Sequence, residues 1–228
     1  MDQNESLITL ESMNKASWYN DWVFKKFKKY LTGDILEVGC GIGNFTKKLS
    51  DHGSVTAIDI EESFLKIAKE KTKDEVLIGK GDIEKGRYFF KEKKFDAIIC
   101  LNVLEHIKDD TTALKNIQRL LKPKGYAVLI LPAHKSLYGS IDRAIGHYRR
   151  YSKGQILKML KKNELKLIKM RRVNSLGAIG WFLSGKVFKN NTVSEKKLKL
   201  FNIFSRLLVL ENIIETPIGT SYLVIARK

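Results

Sequence analysis

The stretch Ile35-Leu36-Glu37-Val38-Gly39-Cys40-Gly41-Ile42-Gly43-Asn44 decides how this chain folds. Its apolar start reads as a short buried strand. The strand breaks into a turn with glycine at alternate positions, and Asn44 to Ser50 then opens a helix. Glycine accepts positive φ at little cost and lets a ligand approach the backbone closely. Open α/β sheets hold nucleotide-like ligands at such a strand, turn and helix start. The dinucleotide fingerprint needs Gly-x-Gly-x-x-Gly. Counted from Gly39 its sixth position is Asn44, and counted from Gly41 it is Thr46. The pattern is instead Gly-x-Gly-x-Gly, with Glu37 two places before the first glycine. That disfavours an NAD-linked dehydrogenase.

Outward from this stretch, strands and helices alternate. Residues 14–31 read as a helix, with Trp18, Trp22, Phe24 and Phe27 apolar among Lys and Asp. Strands are predicted over 34–38, 55–60, 75–78, 95–101, 126–131, 165–173 and 220–226. The run Phe95 to Leu101 is nearly all apolar, as a strand covered on both faces should be. Helices are predicted over 61–72 and over 109–121, the latter stopped at Pro123 and Gly125. Ser152 is a good N-cap for a helix running to about Asn163. This rhythm implies βαβ units and a parallel sheet. There is no internal repeat.

Spacing makes the turn part of a site. Asp59 ends the second strand, 16 residues after Gly43. In a doubly wound sheet that strand end neighbours the glycine turn, so its carboxylate can accept both hydroxyls of a ribose. It can equally cap the helix starting at Glu61. Gly81-Asp82-Ile83 follows the third strand. There an acid can accept from an adenine amine and an apolar side chain can pack on the ring, although a Gly-Asp pair also makes a plain turn. Asn102-Val103-Leu104-Glu105-His106-Ile107 follows the fourth strand.

Taken in order, Glu37 to Gly43, Asp59, Gly81-Asp82-Ile83 and Asn102 to Ile107 resemble the successive motifs of class I S-adenosylmethionine-dependent methyltransferases. The Leu104-Glu105-His106-Ile107 form resembles small-molecule members, including the ubiquinone-biosynthesis type. Leu120-Leu121-Lys122-Pro123-Lys124-Gly125-Tyr126 is similar to the family's turn before the fifth strand, with a lysine replacing one glycine. The resemblance covers residues 34–132 by motif and the rest by architecture. It implies an α/β, Rossmann-like, seven-stranded and mostly parallel sheet, with the last strand antiparallel and helices on both faces. It implies S-adenosyl-L-methionine as cofactor, with S-adenosyl-L-homocysteine as product. The cofactor would be held by Glu37, Gly39, Cys40, Gly41, Gly43, Asp59, Ile60, Asp82, Ile83, Asn102 and Val103. Residues before the first strand often close over the cofactor. Tyr19 and Trp22 are the candidates, unless that helix only packs aromatics into the core. His106 is expected to shape the pocket rather than act as a base.

The chain has 228 residues, enough for one sizeable domain. We divide it into an N-terminal helical cap (1–33), a cofactor-binding core (34–132), an acceptor loop (133–151) and a helical lid insertion (176–214). Cys40 and Cys100 have no metal-ligand spacing and cannot form a disulfide framework, and the N-terminus does not read as a signal peptide. A cytoplasmic protein is the expectation, and no metal site is predicted. Lys and Arg total 42 against 25 acids, for a net charge of +17. Such a field favours anionic partners. The lysines are spread through most segments, as on solvated faces, which weakens a nucleic-acid reading.

Residues 133–151 carry His134, Tyr138, Asp142, Arg143, His147, Tyr148, Arg149, Arg150 and Tyr151. Functional groups gather in such loops on rigid scaffolds. His147, Tyr148 and Tyr138 are candidates for acceptor contact or proton removal. Arg143, Arg149, Arg150 and His134 are candidates for acceptor binding, as clamps for a phosphate or carboxylate. The arginines can equally salt-bridge locally, for example Arg143 to an adjacent acid. The Gly146-to-Tyr151 run resembles a subset of methyltransferases associated with glycosyltransferases or lipid-linked sugars, which suggests a saccharide or lipid-linked acceptor. In the insertion, residues 176–183 are apolar. Lys197 to Ile214 reads as a helix with Leu200, Phe201, Phe204, Leu207, Leu208 and Glu211 at 3–4 spacing. That helix suits a lid, a face for a homodimer, or peripheral contact with an anionic membrane. The function expected is methyl transfer to a small-molecule, saccharide or lipid-linked acceptor. The alternatives are an RNA methyltransferase, favoured by the charge, and a non-catalytic cofactor-binding module.

Overall fold

The computed structural model describes residues 7, 10, 11, 14, 16–73, 75–187, 201, 204–214 and 216–228. Eight strands form one sheet: β1 (Asp34–Val38), β2 (Ser54–Asp59), β3 (Leu77–Asp82), β4 (Arg87–Tyr88), β5 (Phe95–Leu101), β6 (Leu121–Pro132), β7 (Lys166–Val173) and β8 (Ser221–Arg227). The order across the sheet is β4-β3-β2-β1-β5-β6-β8-β7. β3, β2, β1, β5 and β6 pair in parallel, whereas β8 runs antiparallel to both β6 and β7. Seven of these strands are those expected from sequence, including the antiparallel last one. The two-residue β4, antiparallel at the β3 edge, is an addition.

Helices cover both faces. On one, α4 (Asp110–Leu120) and α6 (Lys153–Lys162) bury Leu114, Ile117, Ile156 and Leu160 against Leu36, Val38, Ile98 and Cys100. On the other, α1 (Ser17–Phe27), α2 (Thr46–Ser50) and α3 (Glu62–Thr72) bury Phe27, Leu49, Leu65 and Ala68 against Ile35, Ala57, Ala97 and Ile99. Alternate residues of one strand thus serve opposite cores, which is why β5 is apolar at every position but Asp96. Full burial of Leu114 and Ile117 contributes roughly 1.5–3 kcal/mol each. Asp109 caps α4 by accepting from Thr112 N, and Ser152 caps α6 reciprocally with Gln155.

Three boundaries differ from expectation. β6 begins at Leu121, not Tyr126, because Leu121 pairs with Phe95 before the chain bulges opposite Asp96. β3 reaches Asp82, so Gly81 and Asp82 end the strand rather than follow it. Residues 133–151 are not a bare loop. They hold a 3-10 turn at Lys135–Leu137 and the short helix α5 (Ser140–Ala144), and Ala133 bridges to Tyr151.

The insertion departs most. Its described parts are α7 (Ser175–Trp181), a π-helical turn at Phe182–Val187 and a 3-10 helix at Ser205–Asn212. The predicted helix over 197–214 lies partly outside the described residues. Its inward face is Ser205, Leu208 and Glu211, while Phe204 and Leu207 are exposed. Leu208 and Glu211 thus face inward as expected, and Phe204 and Leu207 are the members of the expected stripe that do not. Glu211 accepts from Asn174 N, Ser175 N and Ser175 Oγ, and that anchorage sets the rotation of the segment. No helix among the described residues is long and apolar enough to cross a membrane.

Candidate active site

The chain runs from β1 through β2 to β3 and then returns to the other side of β1 as β5. The carboxyl ends of β1 and β5 therefore flank the point where strand order reverses, where doubly wound sheets bind ligands. The glycine turn leaves β1 there. Gly39, Gly41 and Gly43 have φ of +71°, +52° and +81°. A Cβ on Gly39 would overlap the Val103 side chain, so the β1 turn and the segment after β5 are in direct contact. Gly39 N and Cys40 N both donate to Ile58 O, tying the turn to β2.

Asp59 joins the two strand ends. Its Oδ2 accepts from Gly41 N at 2.8 Å and its Oδ1 from Glu61 N at 3.0 Å. Burial pushes the carboxyl up, and those N–H groups pull the other way. Each oxygen keeps a lone pair for a further donor. Glu37 is buried and accepts from Thr46 Oγ1 at 2.6 Å. Burial raises its carboxyl to about 8, against the pull of that hydroxyl. Cys40 is buried and its thiol is pushed up by burial.

The other donor-side candidates divide. Ile60 is 58% exposed beside Asp59, whereas Ile83 is buried in the core. Asp82 is half-buried, with Oδ1 accepting from Lys85 N at 2.9 Å. Asn102 is exposed in a left-handed conformation, φ +54°, directly after β5. Trp22 belongs to the core cluster that includes Cys40 of the turn, and Tyr19 packs against that cluster. Trp22 is buried in the core, while Tyr19 packs edge-on to Phe201 and accepts from Asn174 Nδ2. The side chain nearest Gly41 is Leu10, 3.2 Å from where a Cβ would stand, and its carbonyl accepts from Asn44 Nδ2 at 3.0 Å. Nothing in the sequence pattern had marked Leu10.

Past β6, a buried polar hub organises residues 133–151. Asp142 is fully buried and accepts four hydrogen bonds. Oδ1 takes Arg150 Nε at 2.8 Å and His147 Nδ1 at 3.0 Å; Oδ2 takes Gly139 N at 3.0 Å and Trp181 Nε1 at 3.1 Å. Burial pushes this carboxyl up, but His147, Arg150 and Trp181 outweigh it and hold it below the usual range. His147 is buried, and burial lowers its imidazole despite Asp142. Glu105 is fully buried, and burial raises it to about 8. His106 lies edge-on to His147 at 4.6 Å, and burial lowers it to about 4.

The arginines expected to clamp an anion are mostly engaged inside the protein. Arg150 is buried, donating from Nη1 to Ala133 O at 3.0 Å besides its bond to Asp142. Arg149 holds Asp110 at 2.9 Å and Lys108 O at 2.8 Å. Arg143 is exposed. The ion pair with the loop's acid thus belongs to Arg150 rather than Arg143. Tyr138 donates its hydroxyl to His147 O at 2.8 Å, and Tyr148 is 58% exposed. His134 sits at φ +58° over Tyr222, with Nε2 lacking a partner among the described residues.

Residues 36–129 match the family model of a methyltransferase domain. Over that stretch the chain is similar to S-adenosylmethionine-dependent methyltransferases. It is 34% identical over 93 residues to a ubiquinone biosynthesis O-methyltransferase of Coxiella burnetii, covering 40% of each protein. It is 37% identical over 128 residues to a demethylmenaquinone methyltransferase of Lactococcus lactis, covering 51% of this chain and 50% of that one. The chain therefore spans about half or less of these relatives. The N-methyltransferase NodS of Bradyrhizobium japonicum, solved with S-adenosylhomocysteine, shares the fold, with a TM-score of 0.59 and 18% identity over 94% of this chain and 87% of that one.

The methyltransferase domain thus coincides with the part of the chain whose motifs stand at strand ends. Asp142 and Leu10 were missed by sequence reasoning. A lone acid in a segment rich in Arg and His was the one available signal for Asp142, and Leu10 had none.

Proposed function

We propose that this methyltransferase acts on a small-molecule or lipid-linked acceptor, with a hydroxyl oxygen as the nucleophile. One observation carries the cofactor side. Three positive-φ glycines at the switch point present Gly41 N to Asp59, whose two oxygens each keep a free lone pair. A ribose diol fits that carboxylate. Gly39, Gly41 and Gly43, with Cys40 between them, leave room for the rest of the cofactor beside the turn. Ile60 offers an open apolar face to an adenine, with Asp82 near its amine; buried Ile83 supports the wall from beneath. Glu37 braces the turn through Thr46. Asn102 and Val103 form the opposite wall. When bound, S-adenosylmethionine supplies an electrophilic methyl on a sulfonium. The protein's part is to align the acceptor in line with that methyl and to exclude water.

On the acceptor side we assign acceptor contact to His147, whose Nε2 faces inward while Asp142 fixes the ring. Tyr138 positions His147 through its backbone carbonyl, and Tyr148, Arg143 and His134 stand around it for polar contacts. The oxygen assignment draws on the O-methyltransferase relative. A lipid-like acceptor is supported by the exposed apolar side chains of the insertion, among them Phe182, Leu207, Leu210, Ile213 and Ile214. They are suited to an anionic membrane surface, given the net charge of +17. The same charge favours RNA as a second reading, but Arg149 and Arg150 face inward partners.

Calorimetry with S-adenosylhomocysteine tests the cofactor reading: saturable binding abolished by Asp59→Ala is expected, and folded protein that gives no heat sinks it. Turnover on prenylated phenols against RNA then separates the acceptor classes.

A further inference from the structure

The acceptor side outlined above uses His147 but leaves its neighbours Glu105 and His106 unexplained. Glu105 lies on the 3-10 turn Leu104–His106 after β5, and none of its surface is exposed. Neither of its carboxylate oxygens has a hydrogen-bond partner among the described residues. A buried carboxylate in that condition costs several kcal/mol unless something else meets it. Arg150 does not supply the contact, because its Nε is on Asp142 and its Nη1 on the carbonyls of Ala133 and Thr220.

Two imidazoles face this carboxylate with lone pairs rather than protons. His147 Nδ1 lies 3.0 Å from Asp142 Oδ1, which can only accept, so Nδ1 carries the hydrogen. Nε2 is then bare, 3.8 Å from Glu105 Oε1. The His106 ring is hydrogen-bonded to the carbonyl of Gly146, and its Nδ1 has no partner among the described residues. The hydrogen is therefore on Nε2, and Nδ1 is bare. One ring nitrogen of each histidine and one carboxyl oxygen of Glu105 lie within 4.8 Å of one another. Two imidazoles and one carboxyl group thus converge on one point.

We propose that Glu105, His106 and His147 bind a divalent first-row transition ion. Two imidazoles and one carboxylate suit zinc, manganese or iron rather than magnesium or calcium, which prefer all-oxygen sites. The second shell has the form such sites take. One histidine is held by a carboxylate and the other by a backbone carbonyl, each through the nitrogen that does not face the ion. A tetrahedral ion with bonds near 2.0–2.1 Å sets its donors roughly 3.3 Å apart, so the triad needs only a modest contraction. His106 is half-buried, the least enclosed of the three ligands. Three protein ligands leave open positions, as in catalytic rather than structural sites. Val103, two residues before Glu105, packs against Gly39, so the ion adjoins the cofactor turn. Resting on the methyltransferase reading, those open positions take hydroxyl oxygens of the acceptor.

The test uses untagged full-length chain stripped with a chelator, then dialysed against Zn²⁺ or Mn²⁺, with metal content and thermal melting as readouts. About one ion per chain and a melting temperature that rises with metal concentration are expected. Glu105→Gln and His106→Ala should each weaken binding at least about tenfold. His106→Ala removes a half-buried side chain and keeps the fold even where Glu105→Gln does not. Folding of each protein is checked by S-adenosylhomocysteine calorimetry. Wild-type chain that binds S-adenosylhomocysteine yet takes up neither ion overturns the proposal, as does unchanged affinity in His106→Ala. Metal uptake without S-adenosylhomocysteine binding would instead keep the metal site and remove the cofactor reading.

Discussion

The two walls of the site are built from different materials. The donor wall, at the ends of β1 and β2, is mostly backbone: three positive-φ glycines and main-chain N–H groups aimed at Asp59. The acceptor wall, from Glu105 and residues 133–151, is a buried side-chain network centred on Asp142. A backbone site tolerates almost no Cβ. A side-chain site tolerates no unmatched charge. The first is specified by a few adjacent residues, and the second by residues that meet only after folding.

The contrast can be broken most sharply at Gly39. In Gly39→Val a β-branched residue must adopt φ +71° and overlap Val103. The left-handed backbone and the overpacking cost about 1–3 kcal/mol each. Loss of S-adenosylhomocysteine binding by calorimetry is expected, with a lower melting temperature. Near-normal binding would show that the donor wall is not backbone-built. Asp142→Asn is the matching break on the other wall. It leaves Arg150 and His147 without their buried anion, which costs about 3–5 kcal/mol in denaturant unfolding. A loss under about 1 kcal/mol would mean that the hub is not what holds the segment.

A subtler effect separates the walls by pH. Burial raises Glu37 to about 8 in the fold, above its unfolded value. Its contribution is therefore full below the unfolded pKa and is lost as pH rises through about 8. Glu37→Gln removes that titration, so its melting temperature should gain on wild type between pH 5 and pH 9. A constant difference would place Glu37 outside the pH response. The smallest expected change in stability is at the insertion. Ile213 is 81% exposed. Ile213→Glu should shift unfolding by no more than about 0.5 kcal/mol, yet reduce co-sedimentation with anionic liposomes. Undiminished co-sedimentation would remove this surface from the membrane reading.

Legibility from sequence follows the same division. β1, β2 and β5 were readable because each is a short, mostly apolar run ended by Gly, Asp or Asn, and both faces are covered. Asp59 was readable because strand order puts its end beside the turn. β4 was not, since two residues carry no periodicity. The rotation of residues 205–212 was not, because Glu211 is anchored by Asn174 and Ser175, which lie far away in sequence. Arg149 and Arg150 looked like anion clamps because sequence displays charge without its partner. In the structure those partners are Asp110 and Asp142.

By itself the sequence determined the α/β sheet, the glycine turn and the acids at strand ends, because positive φ, apolar runs and helix caps are local demands on adjacent residues. Only the tertiary structure decided which side chains share the acceptor wall. It brought Glu105 from the end of β5 against His147 from beyond β6 and placed Trp181 on Asp142. Those meetings depend on strand order and on burial, which together determine whether a carboxylate finds a donor, an arginine or a bare imidazole.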